Sequence, residues 1–247
     1  AHRAFAREAG ACRKCVSGAI PMAGELKGAC IAFDLDGTLV DTAPDLVRAL
    51  NAAVTPVGLA PVPLNAVRGM IGRGARALIE AAYARESRSL EPDALEARMD
   101  VFMDTYRAGL ADESRPFPHV VETLDSLLSE GARLSVCTNK TTKLAAPLLE
   151  ALGLASRFER IIGADLAPEK KPHPSHLIEA FGGQPPGFCA LVGDSDPDVG
   201  AAKAAGAFAA VYIHGYSEKP ADALGADRLF SCFTELPLIL QEAASAR

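Results

Sequence analysis

The sequence predicts an α/β fold, a parallel sheet covered by helices on both faces, with an all-α segment inserted after the first strand. Three observations carry this. From residue 119 onward, short apolar stretches alternate with amphipathic ones, the rhythm of a parallel sheet wrapped by helices. One buried-strand signature, Cys30-Ile31-Ala32-Phe33, stands alone upstream. Between about residues 45 and 116 the rhythm stops; that stretch is rich in Ala, Leu, Arg and Glu and has no convincing strand.

The elements follow in order. Cys30 to Phe33 is apolar and partly β-branched, so it reads as a buried strand. Asp41-Thr42-Ala43-Pro44 and Ser114-Arg115-Pro116-Phe117-Pro118 flank the helical stretch and read as linkers. Two linkers side by side would act as a hinge, letting the insert open and close. Val120 to Ser129 places Val121, Leu124, Leu127 and Leu128 on one helical face, and Gly131 follows as its cap. Then come a strand at Leu134–Cys137, a helix at Leu144–Leu152, a short strand at Arg160–Ile162 and a helix at His176–Phe181. A strand at Phe188–Val192, a helix at Val199–Ala205 and a strand at Phe208–Ile213 continue the pattern. A short strand near Arg228–Phe230 and a helix near Leu236–Glu242 close it. Ligands of such sheets bind outside the carboxyl ends of the strands, where every chemical motif of this chain falls.

Composition bounds the function. At 247 residues the chain buries a full core. A net charge of −6 leaves no basic excess for nucleic acid. No apolar stretch approaches the roughly 20 residues of a membrane span. Of six cysteines, Cys30, Cys137 and Cys189 fall in predicted buried strands, which suits a reducing, cytoplasmic setting. Cys12-Arg13-Lys14-Cys15 is a lone pair with no second pair to complete a zinc site. Residues 1–21 read as an extension or remnant outside the fold, with a basic targeting segment as the alternative.

The most informative run is Phe33-Asp34-Leu35-Asp36-Gly37-Thr38. Residues two apart in extended backbone point to the same side, so Asp34 and Asp36 are expected to converge at the end of the first strand. Neighbouring carboxylates repel and need a metal ion, a shared proton or a cation. The matching chemistry is one carboxylate as nucleophile and the other as proton carrier. Thr138, at the end of the Leu134–Cys137 strand, could hold a phosphoryl oxygen or cap the next helix. Lys171 precedes Pro172 and would be presented in a fixed direction to offset charge. His173 and His176 read as loop and helix-surface residues. Asp194, the first acid past another strand, is the candidate direct ligand of a hard cation; Asp198, one turn on, would act directly or through water.

In order, these four motifs resemble the catalytic loops of the haloacid dehalogenase superfamily of phosphotransferases, over roughly residues 28 to 242. Thr138-Asn139-Lys140, Lys170-Lys171-Pro172-His173-Pro174 and Gly193-Asp194-Ser195 look closest to its phosphoglycolate phosphatases. The resemblance implies a Rossmann-like core over residues 22–44 and 117–247, with a helical cap over residues 45–116. It implies a hydrolase of small phosphate monoesters, 2-phosphoglycolate first among them, working through an aspartyl-phosphate. Asp34 would be the nucleophile and Asp36 the general acid and base. Thr138 and Asn139 would hold the phosphoryl group and Lys171 would steady charge. Asp34, Asp194, Asp198 and the main chain of Asp36 would bind Mg²⁺. Asp196 departs from the family pattern. Substrate choice would come from Gly69–Arg76, where Arg73 could pair with a carboxylate; Arg68 and Arg76 suit a solvated face equally well.

The implied partner is a small phosphorylated metabolite, not nucleic acid or a membrane, and the chain would act as a monomer or homodimer. A dehalogenase should lack the second acid, so Asp36 argues against one. A phosphonate hydrolase of this superfamily needs a lysine in the insert, and residues 41 to 120 contain none. A sugar phosphomutase shares all four loops and is the main enzymatic rival. A catalytically silent binding protein is the rival of another class.

Overall fold

The computed structural model describes residues 26–185 and 187–246; the Cys12–Cys15 pair and the expected extension lie outside them. The strands are β1 (Cys30–Phe33), β2 (Val40–Asp41), β3 (Arg115–Pro116), β4 (Arg133–Thr138), β5 (Arg160–Gly163), β6 (Cys189–Gly193), β7 (Phe208–Tyr212) and β8 (Arg228–Phe230). The α-helices are α1 (Ala43–Val54), α2 (Ala75–Arg85), α3 (Pro92–Ala108), α4 (Val120–Ser129), α5 (Thr142–Ala151), α6 (Pro174–Phe181), α7 (Asp196–Ala204) and α8 (Leu236–Ser245). Six strands form one sheet in the order β5-β4-β1-β6-β7-β8, every pair parallel. The α/β expectation therefore holds, and each predicted strand and helix from residue 119 onward is present within a few residues.

Side chains alternate across each strand, so the sheet has two apolar faces to cover. Ile31 and Phe33 pack with Val120, Leu124 and Leu127 of α4, Leu148 of α5 and Leu240 of α8. Cys30 and Ala32 turn to the other face, among Leu177 and Phe181 of α6 and Val199 of α7. A third cluster is built within the inserted segment from Leu50 of α1, Leu78 and Ile79 of α2, and Phe102 and Tyr106 of α3. No helix of the described residues is long and apolar enough to cross a membrane.

The Asp41–Pro44 stretch, expected as a linker, is mostly regular structure: Asp41 ends β2 and α1 already starts at Ala43. The two crossings also pair as a short antiparallel ribbon, Val40 opposite Pro116 and Asp41 opposite Arg115. Two-residue strands carry too little periodicity to be read, and their pairing joins segments more than seventy residues apart in sequence. At the centre of the sheet, β1 lies between β4 and β6, with Phe33 beside Val136 and Val192. Asp34, Thr138 and Asp194 thus meet at one carboxyl edge.

Candidate active site

The chain leaves β1 at Asp34, whose N–H donates to the Val192 carbonyl (2.8 Å). The turn that follows requires Gly37, which has φ +88° and whose added Cβ would lie 2.7 Å from Asp194 Oδ2. Asp34 and Asp36 line one cavity of about 350 Å³, together with Thr138, Lys171, Asp194 and Arg73. Their carboxylates nevertheless take different cations. Asp34 Oδ1 lies 2.8 Å from Lys171 Nζ. Asp36 accepts from Lys140 Nζ (2.9 Å) and from Thr42 Oγ1 (2.7 Å). The strand ends at Phe33, so the i, i+2 geometry of an extended chain does not run through both acids.

Lys171 is buried, and its ammonium has three oxygen partners: Asp34, Asp198 Oδ1 (2.7 Å) and the Cys137 carbonyl (2.6 Å). Burial alone would lower its pKa; Asp198 and Asp34 outweigh that and hold it above the usual lysine range. Asp198 is fully engaged, since its Oδ2 accepts from Asp194 N, Ser195 N and Ser195 Oγ. Asp194 accepts from Thr38 Oγ1 (3.0 Å) and Tyr216 N (2.6 Å). Single oxygens of Asp34, Asp194 and Asp198 lie within 4.8 Å of one another. Burial pushes the Asp34 carboxyl up to about 6 and Asp194 well above the usual carboxylate range, with Asp198 adding repulsion in both cases. Asp36 stands outside this trio.

Three carboxylates against one buried ammonium leave a formal charge of −2. An all-oxygen donor set with that excess fits a hard divalent cation. Gly193 and Gly215 leave no room for a Cβ, which would strike Asp198 and Asp194 respectively.

Thr138 ends β4 fully buried, and its Oγ1 accepts from Lys140 N (3.3 Å). It does not cap the next helix; Thr141 occupies that position. Asn139 Nδ2 donates to the Lys171 carbonyl (3.1 Å), while its Oδ1 is buried without a hydrogen-bond partner among the described residues. His176 is buried rather than on the surface, with Nδ1 accepting from Lys171 N (3.1 Å) and Nε2 against the Ile162 carbonyl (3.1 Å). Arg73 faces the cavity but pairs with Glu218 (2.6 Å). Arg76 is on an exposed face with Glu96, and Arg68 pairs with Asp41 and lies over the Tyr216 ring. Asp196 is half-exposed at the cavity mouth and pairs with Lys219 (2.7 Å).

Sequence reasoning gave no role to Lys140, nor to the segment Tyr216–Lys219 that follows β7. Lys140 is buried between Asp36 and the Tyr106 ring, whose centroid is 4.8 Å from Nζ. The segment after β7 was open to the same rule as the others, since it also leaves a carboxyl end of the sheet. Beyond Asp36 and Lys140, a second cavity of about 240 Å³ runs between Leu78, Phe102, Met103 and Leu144.

Comparison with known proteins finds relatives over most of the chain. A phosphoglycolate phosphatase of Caulobacter vibrioides is 47% identical over 216 residues, 86% of this chain and 91% of that protein. One from Agrobacterium fabrum is 41% identical, covering 85% of this chain and 91% of its own length. The crystal structure of a predicted phosphoglycolate phosphatase from Haemophilus somnus superposes with a TM-score of 0.79 at 35% identity, covering 87% of this chain and 98% of that one. The family described as haloacid dehalogenase-like hydrolase matches residues 31–212, a span that runs from β1 through β7 and holds all four acidic and basic loops. By the family match, the relatives and the fold, this chain belongs to the haloacid dehalogenase-like hydrolases.

Proposed function

We propose that this chain is a magnesium-dependent phosphate monoester hydrolase whose main substrate is 2-phosphoglycolate. The observation that carries the reading is the buried trio Asp34, Asp194 and Asp198 around Lys171, at the carboxyl edge of the sheet. The names of the relatives supply the substrate.

Asp34 is the nucleophile in this reading. Its free oxygen attacks phosphorus, the bond from phosphorus to the leaving oxygen breaks, and Asp36 gives that oxygen a proton. Asp36 then takes a proton from the water that attacks the aspartyl-phosphate, which releases inorganic phosphate and restores Asp34. Lys140 keeps Asp36 in place from the far side. Thr138 and the backbone N–H groups after it hold phosphoryl oxygens, and Lys171 offsets charge on Asp34. Asp34, Asp194 and the main-chain carbonyl of Asp36 would hold magnesium. Asp198, with both oxygens engaged, acts through water and by fixing Lys171. Magnesium, when bound, supplies Lewis acidity that relieves the repulsion between the anionic ester and its attacker. Residues 45–116 serve as the cap over residues 22–44 and 117–247, and the enzyme works in the cytoplasm as a monomer or homodimer.

Phosphate release with Mg²⁺ from 2-phosphoglycolate, sugar phosphates, nucleoside monophosphates and phosphoserine tests this. The expected result is a sharp preference for 2-phosphoglycolate that Asp34→Asn reduces on the order of 10⁴-fold or more. Isomerisation of a sugar phosphate without release would replace the hydrolase by a mutase.

A further inference from the structure

Arg73 and Glu218 meet across the mouth of the larger cavity, on the loop before α2 and the loop after β7. Arg73 Nη2 lies 2.6 Å from Glu218 Oε2, with both side chains about half-exposed. Among the described residues, Glu218 is the carboxylate that pairs with this guanidinium. The position of Glu218 is built, not incidental. A Cβ on Gly69 would come within 3.0 Å of Glu218 Cγ, so glycine there lets the side chain lie close against the backbone. Two residues earlier, Tyr216 donates its N–H to Asp194 and its hydroxyl to Asp41, which anchors the loop at both ends of the site.

An exposed ion pair contributes little net stability, because each partner is also well solvated alone. Replacing Glu218 by another carboxylate on Arg73 is therefore a near-even exchange. The cavity that Arg73 faces also holds Asp34, where a phosphoryl group would react, so an ester with a carboxylate at its far end would present that second anion to Arg73. The neighbouring cation, Lys219, is paired with Asp196 within the loops of the sheet and does not reach across the mouth in the same way.

We infer that Glu218 is an internal stand-in that occupies Arg73 until the carboxylate of a phosphate ester displaces it, and so tempers the selectivity that Arg73 gives. This rests on the reading of the substrate as a small carboxylated phosphate ester. An ester without a carboxylate leaves the pair closed and gains nothing from Arg73. A carboxylated ester gains Arg73 but first has to displace Glu218.

Calorimetric binding to the full, magnesium-loaded chain tests this with two ligands that cannot be hydrolysed: 3-phosphonopropionate, and propylphosphonate, which carries a methyl group in place of the carboxylate. Glu218→Gln removes the competitor and is expected to tighten 3-phosphonopropionate about 2- to 5-fold while leaving propylphosphonate unchanged. The gain should vanish in Arg73→Ala, which by itself weakens only the carboxylated ligand. Equal effects on both ligands, or a gain that survives Arg73→Ala, would overturn the assignment. Phosphate release from 2-phosphoglycolate is measured alongside. Release with a silent Glu218→Gln sinks the stand-in alone. The expected binding pattern without release upholds the stand-in and sinks the hydrolase reading.

Discussion

His176 fixes the residue that neutralises the site. Its Nδ1 accepts the Lys171 N–H, and its other nitrogen is left to donate to the Ile162 carbonyl. That arrangement requires the neutral ring, since a proton on Nδ1 would face the Lys171 N–H. Burial pushes the imidazole down to about 4, and the Lys171 ammonium adds to that. The folded value lies below the unfolded one, so the stability it contributes is full above about 6.5. It is lost as pH falls toward 4, because only the unfolded chain takes up the proton. The expected loss from this residue is about 2 kcal/mol at pH 5 relative to pH 7. Urea unfolding of the native chain and His176→Gln at both pH values checks it. The variant should be less stable at pH 7 and lose less on acidification; parallel losses would mean that the imidazole is not held neutral.

At the scale of elements, the two ends of the inserted segment are clasped to each other through a buried carboxylate at the start of α1. Asp45 is fully buried and accepts from Ser114 N (2.8 Å), Ser114 Oγ (2.7 Å), Glu113 N (3.1 Å) and Arg48 Nη2 (3.1 Å). Burial alone would raise its pKa, but the hydrogen bonds from Ser114, Glu113 and Arg48 outweigh it and hold the carboxyl below the usual range. The outgoing and returning crossings are thus joined by one side chain beside the ribbon of β2 and β3. Asp45→Ala strands those donors and is expected to cost about 3 kcal/mol in urea unfolding, with Asp45→Asn costing less because one oxygen remains. A change under about 0.5 kcal/mol for alanine would show that the clasp carries nothing. None of this was legible in the sequence, whereas the strands and helices after residue 119 were. Strand and helix patterns are local, and the motifs at their ends inherit that clarity, which is why Asp34, Asp36, Thr138, Lys171 and Asp194 could be placed in advance on one cavity. Contacts such as Asp45 to Ser114, Asp36 to Lys140 and Tyr216 to Asp41 join residues 69, 104 and 175 apart. Only the topology brings them together. The burial of His176 is hidden in the sequence for a related reason: a polar residue in an eight-residue helix looks solvated until its two backbone partners are known.

For the whole molecule, the sheet gathers charge that the folded chain alone does not balance. Asp34, Asp194 and Asp198 come from two strand ends and a helix, and repulsion among them opposes folding unless a cation intervenes. A divalent ion that binds only the folded state should stabilise it by about 2.7 kcal/mol at a hundred times its Kd, roughly 5–10 °C in Tm for a chain of this size. The size of that shift should depend on pH. Asp34 has a folded value of about 6, above its ordinary one near 3.8. Its contribution to the metal-free protein is therefore full at low pH and lost as pH rises through about 6, when the buried charge develops. Binding of the ion needs Asp34 and Asp194 charged, and burial raises both carboxyls, so the ion competes with their protons at low pH and progressively less as pH rises. Thermal unfolding with EDTA or excess Mg²⁺ should then show a small difference at pH 5 and the full one at pH 7.5. Asp194→Asn removes a donor and half of the net negative charge, and should erase most of the shift at both pH values. A metal-induced shift that survives Asp194→Asn would place the cation elsewhere, and one that ignores pH would mean that Asp34 and Asp194 are already ionised at pH 5.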